Sequence, residues 1–345
     1  MKEKRKSEIK QILKSKKGYY NNGRLKKGAK WLANKYNVSE ELIFEINEEL
    51  KSEFRKKRLN EIPDKLVKVI RENNKVYVQA KVSNKPPNIL NNKINEPGTY
   101  WITGCVHAPF HNKAMYESTF DFLDKEIDLN GVILNGDILD MHSISRHNKG
   151  LLNPKGITLD WEYKEASKFL DEIDDLIYSK KENPIMHYLY GNHEMWHATA
   201  MKDVNISKYG EALLSPLEAL DLLERNYMVQ TDYKTAHVDI GPFLEINHGE
   251  FVNVHSAKKT IDTYRKSVLY FHTHRFQIYM EGRIGGFNMG WGGDLNAPVF
   301  NYATRAMKNS WVNASCLVTL DNDGGFHVQP LLFINNKLIV NGKSY

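Results

Sequence analysis

The segment VILNGDILD, residues 132–140, begins as an apolar run and ends in Gly-Asp-x-x-Asp. Four other apolar runs, at 99–103, 185–190, 243–246 and 267–271, also stop directly before side chains that can bind metal. These side chains belong to Cys105, His107, Asn192, His193, His248, His272 and His274. Because sites in α/β folds form beyond the carboxyl ends of strands, we expect all five strand ends to meet at one place.

The segments between these runs carry apolar residues at helical spacing, for example at Phe169, Ile173 and Ile177. Strands that alternate with helices predict an α/β sandwich. Two further apolar runs, at 316–320 and 327–334, flank the turn-forming sequence Asp-Asn-Asp-Gly-Gly. This arrangement predicts antiparallel hairpins at the end of the chain.

The composition of the 345-residue chain, 41% hydrophobic and 26% charged, is typical of a globular protein and excludes a collagen-like or wholly disordered one. No apolar run approaches the roughly 18–20 residues of a membrane span, and the N-terminus lacks the apolar segment of a secretory signal. The two cysteines, Cys105 and Cys316, are too few for a disulfide framework. We therefore expect a soluble cytoplasmic protein with no membrane partner.

Charge is divided unevenly along the chain. Residues 1–98 carry 25 Lys and Arg against 12 Asp and Glu, whereas residues 99–345 carry 23 against 30. A basic segment of this kind favours a polyanionic partner, and nucleic acid is the first candidate. A basic tail that is merely solvated is the alternative.

The basic region divides into two parts. Residues 1–80 are predicted to form a small all-α domain that resembles a helix-turn-helix unit, with Asn37 in the turn and Ser39 capping the next helix. That helix carries glutamates that would repel phosphates, so flanking basic stretches would have to contact nucleic acid. The Pro- and Asn-rich segment 81–98 is predicted to be a linker to a second domain, 99–345.

Taken together, the strand-end motifs resemble those of a known superfamily. They are Cys105-x-His107, Gly136-Asp137-x-x-Asp140, Gly191-Asn192-His193-Glu194, His248-Gly249 and His272-x-His274. Their order resembles the motif set of the calcineurin-like metallophosphoesterases over residues 99 to about 335. The sequences around His107 and Asp137, followed by Ser143-Ile-Ser-Arg146, are most similar to phosphoesterases encoded by bacteriophages. That likeness would place the protein in a host cytoplasm.

The resemblance implies a two-sheet αββα sandwich that hydrolyses phosphate esters by attack of a metal-bound water. It also implies two divalent cations, with Mn, Zn or Fe the first candidates. One would be held by Cys105, His107, Asp137 and His274, and the other by Asp137, Asn192, His248 and His272. His193 would protonate the leaving oxygen, Asp140 would orient His193 through a ring-nitrogen hydrogen bond, and Arg146 would hold the phosphate.

Two residues depart from the pattern of that superfamily. Cys105 stands where Asp is usual, and Phe271 stands where Gly usually precedes the last His-x-His. A thiolate ligand would favour Zn²⁺ or iron over Mg²⁺. Alternatively, Cys105 does not coordinate and one metal position is weakened.

The first functional hypothesis is a phosphodiesterase or nuclease-like enzyme that acts on or near nucleic acid. A phosphomonoesterase or a protein phosphatase is one alternative. A catalytically impaired DNA-binding or virion-associated module is another. The sequence leaves the natural substrate, the metal and the oligomeric state open.

Overall fold

The computed structural model describes residues 2–15, 20–21, 24–25, 29–47, 49–50, 92–145, 156–201 and 214–345. The chain divides into two compact units, one comprising residues 1–90 with 174–182 and the other comprising 91–173 with 183–345. Each unit is described by itself. In the part of the chain that is described, no helix is long and apolar enough to cross a membrane.

The N-terminal unit contains short helices and a small hairpin. Its described elements are α1 (Lys2–Ser15), β1 (Tyr20–Asn21), β2 (Arg24–Leu25), α2 (Ala29–Tyr36) and α3 (40–47). Apolar residues one helical turn apart form its core: Ile9, Leu13, Leu32, Ala33, Leu42, Ile43, Ile46 and Leu50. Leu25 pairs with Tyr20 in the hairpin, and the described part of α2 begins at Ala29.

The predicted turn between α2 and α3 is confirmed. Asn37 has a left-handed φ of 51°, which Asn adopts more readily than most residues. The Ser39 hydroxyl accepts a hydrogen bond of 3.3 Å from the amide of Leu42, so Ser39 caps α3. Two helices are therefore joined by a turn at Asn37, whereas a helix-turn-helix domain and its binding of nucleic acid stay predictions.

Two lysines of α1 pair with glutamates in the acidic segment that includes α3. Lys6 of α1 lies 3.0 Å from Glu45 and 2.7 Å from Glu49, and Lys10 also pairs with Glu49. These two glutamates thus contact α1, which removes two of the negative charges that the sequence set against phosphate binding.

The second unit contains two sheets. Its strands are β3 (Lys93–Ile94), β4 (Gly98–Thr103), β5 (Leu129–Asn135), β6 (Ile185–Leu189), β7 (Met228–Gln230), β8 (His237–Ile240), β9 (Leu244–Asn247), β10 (Ser267–Tyr270), β11 (Phe276–Glu281), β12 (Ile284–Met289), β13 (Ala314–Leu320), β14 (Phe326–Ile334), β15 (Lys337–Val340) and β16 (Lys343–Ser344). The larger sheet has the order β16-β15-β14-β13-β4-β5-β6-β7, and the smaller has β11-β12-β10-β9-β8-β3. Strands β4 to β7 are parallel, whereas β13 to β16 form the antiparallel hairpins that the sequence predicted.

Helices connect these strands. They are α4 (Lys113–Glu126), α5 (Leu159–Lys180), α6 (Glu194–Ala200), α7 (Pro216–Ala219), α8 (Ser256–Tyr264) and α9 (Arg305–Ser310). Two 3₁₀ turns, His142–Ile144 and Pro298–Phe300, lie in the loops. Helix α4 begins where the Asn112 side chain accepts a hydrogen bond from the amide of Met115.

One apolar core joins the inner faces of the two sheets. It contains Ile102, Ile133 and Leu189 from the larger sheet, and Ile246 and Leu269 from the smaller one. Val132, Ile133 and Leu134 are all buried, because the strand they share is covered on both faces. The predicted two-sheet α/β sandwich is confirmed.

The described end of the predicted linker is part of this sandwich. Lys93 and Ile94 form β3, which pairs in parallel with β8, and Ile94 is buried in the core. Residues 81–91 of the predicted linker, like the strand-like stretch 75–80, lie outside the described residues.

Candidate metal centre

The five strand ends named by the sequence converge. Strands β4, β5 and β6 carry their polar residues at neighbouring carboxyl ends of the larger sheet, and β9 and β10 do so in the smaller one. Backbone hydrogen bonds tie the first two ends together, from the Cys105 amide to the Gly136 carbonyl and from the His107 amide to the Asp137 carbonyl, each 2.9 Å long.

Several predicted ligands have an unusual backbone conformation. The φ angle is 45° at Cys105, 54° at His107, 51° at Asp137, 29° at His272 and 63° at His274. Positive φ is uncommon for residues other than glycine and costs on the order of 1–3 kcal/mol each. Such strain concentrates at functional sites, so its occurrence at five predicted ligands after three of the strands favours a binding or catalytic role over simple packing.

Two glycines allow the strand ends to approach this closely. A Cβ atom at Gly136, whose φ is +73°, would lie 2.3 Å from Nδ1 of His248. A Cβ atom at Gly191 would lie 2.2 Å from Oδ1 of Asp137. Any side chain at either position would therefore displace a predicted ligand.

A first group of ligand atoms surrounds the β4 end. Nε2 of His107 lies 3.1 Å from Nε2 of His274, and the Cys105 sulfur belongs to the same group, whose ligand atoms all lie within 4.8 Å of one another. Cys105 also forms such a group with Asp137 and His248. Its sulfur is thus close to both predicted metal positions and not only to the first.

A second group surrounds Nε2 of His248. Oδ2 of Asp137 lies 3.1 Å from this nitrogen, and Oδ1 of Asn192 and Nδ1 of His272 each lie 3.3 Å from it. Bonds of about 2.1 Å to one tetrahedral cation would hold its ligand atoms roughly 3.4 Å apart. Each of these three distances from Nε2 of His248 therefore suits two ligands of one ion.

Hydrogen bonds prepare two of the imidazoles for coordination. Nδ1 of His248 lies 3.0 Å from the Asn135 carbonyl, so this nitrogen carries the proton and Nε2 turns its lone pair toward the group. Nδ1 of His107 lies 3.0 Å from the Asp140 carboxylate, with the same consequence for its Nε2. Partners of this kind commonly orient metal-binding histidines.

The protonation states of His272, His274 and Asp137 also suit a cation. Burial lowers the pKa of His272 to about 4, and burial and the nearby His107 lower that of His274 well below its ordinary value, so both rings are neutral ligands at neutral pH. Burial opposes ionisation of Asp137, but electrostatic attraction to the His248 and His193 rings holds its pKa well below the usual range. For His248, the Asp137 carboxylate outweighs burial and raises the pKa.

Cys105 is fully buried in the same group. Burial, together with the charges of Asp137 and Glu194, raises the pKa of its thiol well above the ordinary value. A bound cation would reverse this preference by attracting the thiolate, and its binding would release a proton.

His193 lies at the open side of the centre. Its side chain is 16% exposed, whereas that of Asp137 is 2% exposed. Nδ1 of His193 donates to the backbone carbonyl of Asp140 over 2.6 Å, and the ring stacks on Trp196 at a centroid distance of 3.9 Å. These contacts fix the ring plane. In the neutral ring the proton lies on Nδ1, and Nε2 lies 3.9 Å from Oδ2 of Asp137.

The expected role of Asp140 differs from the structure in one respect. Its carboxylate lies 3.8 Å from Nδ1 of His193, too far for the predicted hydrogen bond, and instead accepts from His107 over 3.0 Å. The backbone carbonyl of Asp140 accepts from His193 instead, because the carboxylate is directed at His107. Asp140 thus orients two histidines through two different groups.

Glu194 is a site residue to which the sequence assigned no role. Its buried carboxylate accepts hydrogen bonds from the amides of Asp137, Ile138, Leu139 and Gly191, over 2.7–3.0 Å. One side chain therefore holds the ends of β5 and β6 together. Its position in the first turn of α6 favours a carboxylate, but nothing in the sequence pairs it with residues 137–139.

A second buried carboxylate shapes the loop after Asp140. Glu162 accepts hydrogen bonds from the amides of His142, over 2.6 Å, and Ser143, over 3.1 Å. Arg146, the predicted phosphate contact, follows this loop and lies outside the described residues.

We expect the buried carboxyl group of Glu162 to make the free energy of unfolding depend on pH. Burial raises the pKa of Glu162 from 4.5 to about 7, so the folded protein keeps a proton that the unfolded chain loses, and stability falls as pH rises through that window. The change corresponds to about 3 kcal/mol. Urea unfolding between pH 4.5 and 7.5 should show wild type losing about this much relative to Glu162→Gln. Parallel pH profiles for the two proteins would contradict the assignment.

No protein-family profile matches the chain, and no curated protein matches it. Among solved structures, zinc-bound Vps29 from Entamoeba histolytica is similar at 13% identity, with 68% of this chain and 99% of that chain covered and a TM-score of 0.33. A predicted phosphoesterase from Streptococcus pneumoniae is similar at 14% identity, with 72% and 97% covered and a TM-score of 0.31. A cold-active protein tyrosine phosphatase is similar at 11% identity, with 69% and 82% covered and a TM-score of 0.35.

Proposed function

We propose that the chain is a metal-dependent phosphoesterase whose centre holds two divalent cations. The observation that carries this proposal is the meeting of Asp137, Asn192 and His272 around Nε2 of His248, beside a second group containing His107 and His274. A mixed set of sulfur, imidazole, carboxylate and amide oxygen donors suits Zn²⁺, Mn²⁺ or Fe²⁺. The resemblance of the ordered motifs to the calcineurin-like metallophosphoesterases supports the same proposal.

Each side chain then has a defined task. When bound, two cations roughly 3.5–4 Å apart lower the pKa of a water and neutralise charge on the phosphoryl oxygens. Asp137, common to two of the groups, would be shared between the two positions. With Nδ1–H donating to the Asp140 carbonyl, the imidazolium form of His193 would carry its second proton on Nε2 and would deliver that proton to the leaving oxygen.

Hydrolysis of bis(p-nitrophenyl) phosphate by the full chain tests this proposal. Protein stripped of metal and reloaded in turn with Mn²⁺, Zn²⁺, Fe²⁺ or Mg²⁺ should hydrolyse the diester with at least one of them and lose activity on chelation. A chain that stays inactive with all four would favour the impaired DNA-binding or virion-associated module. Faster hydrolysis of p-nitrophenyl phosphate or a phosphopeptide would favour a phosphomonoesterase or a protein phosphatase.

Replacing Cys105 by aspartate should change the metal preference. If the thiolate coordinates, Cys105→Asp exchanges a soft ligand for a hard one and shifts affinity from Zn²⁺ toward Mn²⁺. Competition titrations of both proteins with the two metals measure this shift. Cys316→Ala is the control, because Cys316 lies in the core and an aspartate there would bury a charge. The same metal profile in wild type and Cys105→Asp would mean that Cys105 is not a ligand.

We further propose that the substrate is nucleic acid, or that the enzyme works while bound to it. The excess of basic residues in 1–98 and of acidic residues in 99–345 supports this. Because Lys6 and Lys10 pair with Glu45 and Glu49, other basic residues of the segment would make the phosphate contacts.

Binding to duplex DNA should weaken steeply with salt, with a log–log slope near −0.9 for each phosphate contacted. Removing residues 1–90 should weaken that binding strongly and spare hydrolysis of the small diester, since the predicted ligands all lie beyond residue 90. Fluorescence anisotropy at several salt concentrations measures the slope. Full-length protein that binds neither DNA nor RNA at low salt would assign the basic segment to a protein partner.

A further inference from the structure

A cavity of about 460 Å³ opens beside the candidate metal centre. Its floor is formed by the buried Glu245 and Asn247 of β9, its walls include Tyr233 and Tyr264, and Lys234 and Glu250 lie at its rim. Side chains alternate along a strand, and Leu244 and Ile246 face the core between the sheets. The cavity therefore lies on the opposite, outer face of the six-stranded sheet.

The cavity borders the metal centre through the Tyr233 ring. Asn247 directly precedes the predicted ligand His248, so a floor residue and a ligand have Cα atoms about 3.8 Å apart. The Tyr233 ring, in the cavity wall, has its centroid 6.2 Å from that of the His248 ring. A molecule that contacts Tyr233 in the cavity would thus be separated from the predicted ligand His248 by one aromatic ring.

Charges in the cavity balance. Lys234 and Lys266 oppose Glu245 and Glu250, and Lys266 pairs with Glu245. Asn247 also donates to Glu245 over 2.7 Å, so the floor is polar. A second phosphate would meet two carboxylates here, and a purely apolar group would leave the floor polar groups without partners. The lining instead fits an uncharged group with hydrogen-bond donors and a flat face.

Resting on the proposed phosphoesterase function, we propose that this cavity binds the nucleoside part of the substrate. A base offers a flat face to the tyrosine rings, and its N–H groups and the sugar hydroxyls can donate to the carboxylates of Glu245 and Glu250. The volume lies within the range of about 300–1,000 Å³ that is usual for small-molecule pockets. The substrate is accordingly a nucleotide ester, in which one nucleoside occupies the cavity and its phosphate lies at the metal centre.

Binding of uncharged nucleosides tests the cavity apart from the metal centre. Saturation-transfer NMR on the metal-free full chain should detect at least one of adenosine, guanosine, cytidine and thymidine. Tyr233→Ala should weaken binding about tenfold, the scale of one lost stacking contact, and Tyr233→Phe should restore most of it. Tyr279→Ala, a half-buried tyrosine of β11 outside the cavity, is the matched control and should bind as wild type does. Absence of binding for all four nucleosides would overturn the proposal.

Kinetics separate this inference from the proposed function. Metal-loaded enzyme should have a higher kcat/KM for thymidine 5′-(p-nitrophenyl phosphate) than for methyl p-nitrophenyl phosphate, and Tyr233→Ala and Glu250→Gln should each lower that ratio about tenfold. Equal kcat/KM values for the two esters would reject the nucleoside site but keep the phosphoesterase, whereas no hydrolysis of either ester would reject the phosphoesterase itself. Comparing a dinucleotide with a longer single strand identifies whether the nucleoside comes from a free nucleotide or from a nucleic-acid end.

Discussion

Asp137→Ala should bind less metal and lose hydrolysis of bis(p-nitrophenyl) phosphate by at least about 10²–10³-fold, the scale on which one electrostatic group at a reacting centre acts. Asp137 belongs to two of the three groups of potential ligands, and its Oδ2 lies 3.1 Å from Nε2 of His248. Removing it should therefore weaken both metal positions together. Metal analysis of the purified variant, alongside its kcat, measures both effects.

A structural role for Asp137 predicts a different outcome. Its Oδ1 accepts the amide of His193 over 2.8 Å, so alanine also removes a buried hydrogen bond. Asp137→Asn retains an acceptor at that position but removes the charge, and it should be as inactive as Asp137→Ala while unfolding close to wild type. Asp121→Asn, on the exposed face of α4, is the matched control. Full metal content in Asp137→Asn would contradict the proposed bridging ligand.

His193→Ala should lower turnover by roughly 10²–10⁴ while the metal content stays nearly unchanged. Its ring is held by the Asp140 carbonyl and by Trp196, and among the described residues it belongs to one group of potential ligands, the one with His107 and Asp137. The expected loss depends on the leaving group, since a good leaving group such as p-nitrophenolate needs little protonation. The loss should thus be larger for an alkyl ester than for a p-nitrophenyl ester.

Two comparisons decide the role of His193. His255→Ala, at an exposed histidine just before α8, controls for the loss of an imidazole elsewhere. If His193→Ala lost its metal, His193 would be a ligand and the role assigned here would be wrong. If alkyl and p-nitrophenyl esters lost activity equally, His193 would not be the proton donor.

The positions of the strand ends could be predicted because the signal is local. An apolar run followed by Gly-Asp or Gly-Asn-His contains both the strand and its functional end within about ten residues. The roles of Asn37 and Ser39 could be predicted for the same reason, since left-handed turns and N-caps depend on a few neighbouring residues. The two-sheet sandwich followed from the alternation of such units.

Contacts between distant segments could not be predicted in this way. The partner of the Asp140 carboxylate is His107, 33 positions earlier, whereas His193 contacts the Asp140 backbone carbonyl. Glu194 caps amides 55–57 positions earlier in the chain, which no spacing rule connects to it. The cavity beside His248 is lined by residues of a loop, a strand and a helix end. Each of these elements contributes residues that belong to no recognisable sequence motif.

Anomalous X-ray scattering from crystals of the metal-loaded protein tests the proposed centre most directly. We expect two peaks per chain, one contacted by Asp137, Asn192, His248 and His272 and the other by Cys105, His107, Asp137 and His274. A single peak, or peaks that Asp137 does not contact, would contradict the two-cation centre from which the proposed hydrolysis follows.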